Sequence, residues 1–313
     1  MNGIRSLAGG SLPLRLDIRR LLGTLLLTGA ILAGCSSAGG GSSASGPPPD
    51  ADAIDVVATT TVFADLVRQV GGSHVRVVSL VPAGGEVHTF DPTPADIARV
   101  ADADLVVMNS LGLDEWVADL AADSGSDAPV LRLGEGIAGA GDNPHVWMDV
   151  RNAIRYAVRI GDELARIDPP NATSYGDEMK AYTRRLTELD GTAREQIAAI
   201  PPERRKVVSF HEALPYFAAA YGLEIVGTVV DAPGQDPSAG EIAGLIDEIR
   251  ASGASALFGE AQFNPDLART IADEAGIAVV TDLHTDSVGN PPADTYEGMI
   301  RSDVQKVVEA LQP

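Results

Sequence analysis

One apolar stripe in the middle of the chain limits what it can fold into. Tyr175, Met179, Tyr182, Leu186, Leu189, Ala193, Ile197 and Ile200 recur every three or four residues. That spacing lines one face of an α-helix of about seven turns. Pro169-Pro170 precedes the stripe and Pro201-Pro202 ends it, since proline cannot continue a helical hydrogen-bond ladder. A helix this long needs apolar partners along its whole length, so it must run against the rest of the body.

On either side, short β-branched runs alternate with helical patterns. Before the stripe the sequence predicts strands over Ile54–Thr60, Val75–Val81, Leu105–Met108 and Val130–Leu133. Helices are expected over Val62–Val70, from Pro94 after Thr93, over Leu113–Leu120 and over Val150–Ile167. After it, strands are expected over Lys206–Ser209, Glu224–Val229, Ala256–Phe258 and Ile277–Val280. The helices there are Glu212–Tyr221, Pro237–Ser252, Pro265–Ala275 and Thr295–Leu311. Such alternation predicts an α/β fold: two β/α lobes with mostly parallel sheets, joined by one long rigid helix. The N-terminal lobe spans 54–168, the linking helix 169–202 and the C-terminal lobe 203–313. No internal repeat is strong enough to mark the lobes as copies.

Residues 1–34 read as an export signal. Arg15, Arg19 and Arg20 precede an apolar run from Leu21 to Ala33, too short for a spanning helix of about 20 residues. Leu32-Ala33-Gly34-Cys35 then resembles a bacterial lipobox, with Cys35 as the lipidated residue. Cys35 is the sole cysteine, so no internal disulfide can form. The Ser/Gly/Pro/Ala segment 35–53 reads as a lipid-anchored flexible tether. The body is therefore expected outside the cytoplasm, attached to the membrane through its lipid anchor only.

The chain carries a formal charge of −21. Removing the signal's four Arg and one Asp leaves about −24, a surface that repels nucleic acid. Three Lys beside twenty Arg, with abundant Ala and Gly, fit a GC-rich bacterial genome.

Three of the five histidines stand in chemically loaded phrases: Val87-His88-Thr89-Phe90-Asp91-Pro92, Asn143-Pro144-His145-Val146-Trp147 and Phe210-His211-Glu212-Ala213. An aspartate follows in His284-Thr285-Asp286-Ser287. Three imidazoles and a carboxylate suit a borderline transition metal such as zinc. The phrases span about two hundred residues, so only a fold can unite them. Asp282 competes with Asp286, and Glu212 with His211. Glu260, after a strand, and Asp91, near His88, are candidates to orient ligand histidines from outside the coordination sphere.

With Gly85–Asp96, Asn143–Asp149, His211–Phe217 and Asp294–Met299 in this order, residues 54–313 resemble the metal-specific solute-binding lipoproteins of ABC importers for zinc and manganese. The resemblance implies a metal site in the cleft between the lobes. It assigns His88 and His145 as ligands from the N-terminal lobe, with His211 and Asp286 from the C-terminal lobe. Histidine at the third position, where manganese-type members tend to have glutamate, implies zinc; manganese is the alternative. The resemblance further implies a monomer that is not an enzyme, captures Zn²⁺ and delivers it to a permease and ATPase. The 134–143 loop is short and lacks the histidines of many zinc-type members, which leaves room for a separate metal chaperone. Two other readings are a secreted zinc hydrolase, for which no His-Glu-x-x-His motif is present, and an adhesin.

Overall fold

The computed structural model describes residues 48–137, 141, 143–230 and 233–312. The expected signal, Cys35, most of the tether and part of the 134–143 loop lie outside the described residues. The N-terminal half contains β1 (Ile54–Ala58), α1 (Thr61–Gly71), β2 (Val75–Ser79) and α2 (Pro94–Ala101). It continues with β3 (Leu105–Met108), α3 (Trp116–Ser124), β4 (Val130–Arg132) and α4 (Val150–Ile167). The long helix is α5 (Ala172–Ala198). The C-terminal half follows with β5 (Lys206–Ser209), α6 (Pro215–Tyr221), β6 (Glu224–Thr228) and α7 (Ala239–Ser252). It ends with β7 (Ala256–Glu260), α8 (Pro265–Ala275), β8 (Ala278–Leu283) and α9 (Tyr296–Leu311).

Each half holds a four-stranded sheet in which every pairing is parallel. The orders are β2-β1-β3-β4 and β6-β5-β7-β8. The two halves thus share one topology that their sequences do not advertise.

Alternate strand residues face opposite sides of each sheet. On the N-terminal sheet, Val57, Val106 and Met108 face outward onto Val100 of α2 and Val117 and Ala121 of α3. On the other sheet, Val208 and Leu257 meet Ile246 and Ile249 of α7 and Ile271 of α8. The inner faces, including Val56, Leu105, Val107, Val207 and Phe258, belong to one continuous core with α1, α4, α5 and α9. The stripe residues Tyr175, Tyr182, Leu186, Leu189, Ala193 and Ile197 are all buried in it. The long helix therefore fuses two sheets through one shared core.

Local chemistry sets the element ends. Thr93 and Asp96 form a capping box that starts α2 at Pro94, and Ser238 with Glu241 does the same for α7. That cap moves the start of α7 to Ala239, two residues past the expected Pro237. Helix α3 begins at Trp116, not at Leu113. The buried Asp114 carboxylate accepts from the Thr59 hydroxyl and from the Asn109 and Ser110 amides. This holds Ser110 and Leu111 at positive φ, a tight turn that a helix cannot enter. Gly125, left-handed at φ 75°, ends α3 after Ser124.

A polar seam joins α1, α5 and α9. Arg185 donates to Glu297 at 3.0 Å and to the Gln69 side-chain oxygen at 2.8 Å. The Tyr296 amide donates to Asp65 at 2.7 Å. Burial pushes the Asp65 carboxyl up to about 6, against the lowering effects of the Tyr296 amide, Gln69 and Arg68, while Glu297 raises it further. A raised carboxyl pKa means the folded state holds the proton more tightly than the unfolded chain. This contribution is full below pH ~4 and is lost as pH rises through ~6. Asp65→Asn keeps the acceptor and the shape without the charge. Denaturant unfolding of the metal-free protein should show variant and wild type alike near pH 4, and the variant more stable by up to about 3 kcal/mol at pH 8.

Candidate metal centre

His88 lies on the loop between β2 and α2, and its amide donates to Glu86 Oε1 at 2.9 Å. His145 lies just before α4. The Asn143 side-chain oxygen accepts from its amide at 2.9 Å and stands 3.0 Å from its ring Nδ1. Asn109, at the end of β3, braces the same segment by donating to Pro144 O at 2.9 Å. In turn the Tyr156 hydroxyl donates to Asn109 Oδ1 at 2.5 Å. His211 follows β5, with Nδ1 2.9 Å from Glu260 Oε1 at the end of β7. Asp286 follows β8. The C-terminal groups thus sit at the carboxyl edge of a parallel sheet, where open α/β folds bind ligands.

These four side chains converge. Nε2 of His145 is 3.3 Å from Nε2 of His88 and 3.3 Å from Nε2 of His211. Asp286 Oδ1 is 3.3 Å from His145 Nε2. Asp286 Oδ2 is 3.8 Å from His88 Nε2 and 3.7 Å from His211 Nε2. One donor atom from each residue lies within 4.8 Å of all the others. His145, His211 and Asp286 are buried and His88 is half-buried.

With His145 and His211 both neutral, the short distance between their Nε2 atoms is not an ordinary hydrogen bond. Asn143 and Glu260 present oxygen acceptors to the Nδ1 atoms of His145 and His211, which fixes the proton on Nδ1 when those rings are neutral. The Nε2 lone pairs then face one another. Such an arrangement calls for a cation at the centre. Asp286 Oδ1 is buried and finds no hydrogen-bond donor, as expected of an oxygen aimed at an ion.

The charges agree. Burial alone would raise the Asp286 carboxyl, but the imidazoles of His145, His211 and His88 outweigh it and hold it well below the usual carboxylate range. Burial pulls His88 down to about 4 against the attraction of Asp286. Burial also opposes a charge on His211, yet the bond to Glu260 and the charges of Glu260, Asp286 and Glu86 raise it to about 9.

The expected alternatives lie elsewhere. Asp282 is exposed and pairs with Lys306 at 3.0 Å. Glu212 is exposed, and its backbone oxygen accepts from Asn143. Asp91 is exposed, while the carboxylate that holds the His88 backbone is Glu86. Glu260 stands against His211 as anticipated. The sequence reading missed Asn143, Asn109 and Glu86. Asn143 could have been flagged, since a side-chain acceptor two residues before a histidine can reach its amide.

Two β/α lobes fused by one long helix, with metal-donor side chains drawn from both, define a two-lobed solute-binding protein. Residues 56–310 match the family model described as "Zinc-uptake complex component A periplasmic", and the chain belongs to that family. Its members are substrate-binding proteins of ABC transporters, not enzymes. The manganese-binding lipoprotein MntA of Halalkalibacterium halodurans is 30% identical over 270 residues, covering 84% of this chain and 90% of MntA. The iron ABC transporter substrate-binding lipoprotein MtsA of Streptococcus pyogenes is 28% identical over 281 residues, 83% of this chain and 90% of MtsA. The Mn-bound periplasmic metal binding protein from Candidatus Liberibacter asiaticus superposes with a TM-score of 0.75 at 25% identity, covering 82% of this chain and 99% of that one. No helix among the described residues is long and apolar enough to cross a membrane.

Glu260 stands outside the four-residue cluster and reaches it through its bond to His211 Nδ1. Glu260→Gln should lower metal affinity about 10- to 100-fold, the usual effect of disturbing a ligand's hydrogen-bond partner. Competition against a chromophoric chelator measures it.

Proposed function

We propose that this protein captures Zn²⁺ outside the cytoplasm through His88, His145, His211 and Asp286 and delivers it to the permease and ATPase of an ABC importer. Residues 1–34 serve as the export signal, Cys35 carries the lipid, and 35–53 tether the body to the membrane. Lobe 54–168, linking helix 169–202 and lobe 203–313 form the body, which works as a monomer. The spacing of the four donor atoms carries this reading. A tetrahedron of ~2.0–2.1 Å zinc bonds has edges of about 3.3–3.4 Å; His145 Nε2 stands 3.3 Å from the other two Nε2 atoms and from Asp286 Oδ1, Asp286 Oδ2 is 3.8 and 3.7 Å from His88 and His211, and one donor of each residue lies within 4.8 Å of the others. Zinc accepts three imidazoles and one carboxylate in a closed tetrahedral set, whereas manganese favours more oxygen. Four protein donors leave no open position for an activated water, consistent with transport and not hydrolysis.

Manganese and iron appear in the names of relatives, so the choice of ion is the point to test. Metal-free protein titrated with Zn²⁺ against Mn²⁺ at equal concentration should take zinc by a wide margin, in line with the Irving–Williams order. Preference for manganese overturns the ion and keeps the site. His211→Ala should weaken zinc binding at least about 100-fold by calorimetry, since removing a donor opens the sphere. Unchanged affinity removes His211 from the ligand set.

A further inference from the structure

The loop that carries Asp286 leaves the C-terminal sheet at Leu283, yet the N-terminal half holds its backbone. Thr285 O accepts from the indole Nε1–H of Trp147 at 2.8 Å. The Val288 amide donates to Thr61 Oγ1 at 3.0 Å. Ser287 Oγ accepts from the Gly84 amide at 3.2 Å. These partners come from three segments: the turn before α4, the first turn of α1, and the loop that holds His88. Together they grip the residues on both sides of Asp286. Thr285 and Trp147 are fully buried, so water cannot replace their bond. Trp147 is itself fixed by an edge-to-face contact with Phe63 at 5.2 Å and by the Tyr296 hydroxyl, which donates to Trp147 O at 2.6 Å. The C-terminal half holds the start of the loop, where the His284 amide donates to Asp303 Oδ1 at 3.1 Å, and reaches the Asp286 side chain through a 3.3 Å contact from Gln262. His211 is held differently. Its ring is fixed by Glu260 on β7 and packs against Phe263 at 5.3 Å.

We infer that Trp147 and Thr61 are positioning residues for the captured ion: they hold the Asp286 loop on the N-terminal half, so that His88, His145 and Asp286 form one mechanical unit. His211 is then the one ligand of the four carried by the C-terminal sheet. The chain boundary divides the ligands two and two; these hydrogen bonds draw the Asp286 loop to the side of His88 and His145, while Asn143, which holds His145, also reaches the Glu212 backbone beside His211. This inference rests on the four-ligand reading above.

The test measures zinc association and dissociation rates on the full chain, with a fluorescent chelator as acceptor. Trp147→Phe keeps the aromatic bulk and loses the Nε1–H. Thr61→Val keeps the shape and loses the acceptor, and Thr61→Ser retains it. Trp147→Phe and Thr61→Val should each speed dissociation about three- to tenfold, the weight of one buried hydrogen bond, with association little changed. Thr61→Ser should restore the wild-type rate. In an Asp286→Ala background neither substitution should add further speed, because the loop no longer carries a donor. Wild-type dissociation in both variants overturns the inference. So does an undiminished effect in the Asp286→Ala background, which would mean general loosening. Should Trp147→Phe fail to fold, the Thr61 pair decides alone. Failure of the ligand reading looks different: Asp286→Ala would then release zinc like the wild type.

Discussion

The structure turns on three imidazole nitrogens and one carboxylate aimed at a common point inside the protein. When His145 and His211 are neutral their Nε2 lone pairs, 3.3 Å apart, repel, and the buried Asp286 Oδ1 has no hydrogen-bond donor. Neither condition is favourable in a low-dielectric interior. A divalent cation at that point turns both into attraction. The surrounding fold can be understood as the means of keeping these donors together. Asn143 and Glu260 fix the ring tautomers, Asn109 and Tyr156 brace the turn of His145, and the sheet edges supply His211 and Asp286.

Rigidity comes from the shared core. In many two-lobed proteins the lobes own separate cores and a thin linker lets them swing. Here the inner faces of both sheets and the stripe of α5 pack into one apolar body. Wide opening would expose that body to water, at about 25 cal/mol for each Å² of apolar surface. The polar seam of Arg185, Glu297, Gln69, Asp65 and Tyr296 reinforces it. Motion that lets an ion go must therefore be local.

Periodicity was a good guide where packing is simple. The stripe from Tyr175 to Ile197 is buried as its spacing implies, apart from a half-buried Met179, and the strands begin and end close to their β-branched runs. The departures have identifiable causes. At α3, the Asp114 carboxylate draws three donors from β1 and the β3 end and delays the helix, and no local pattern announces such a contact. The common order of the two sheets is equally silent in the sequence, because a parallel sheet needs only buried apolar runs and tolerates any set of them.

The sequence alone determined the donor chemistry, since the His, Asp and Glu side chains in those phrases offer nitrogen and oxygen donors, and it determined the long helix, since proline and periodicity are local properties. Tertiary structure decided which acidic residue lies beside which histidine. Glu86 holds the His88 backbone and Asp91 does not; Asp286 joins the cluster while Asp282 faces solvent beside Lys306. It also decided that a loop leaving the C-terminal sheet is held by Thr61, Gly84 and Trp147. These are contacts between residues more than a hundred positions apart, and their geometry depends on how two sheets meet across one helix, a relation that no stretch of sequence contains.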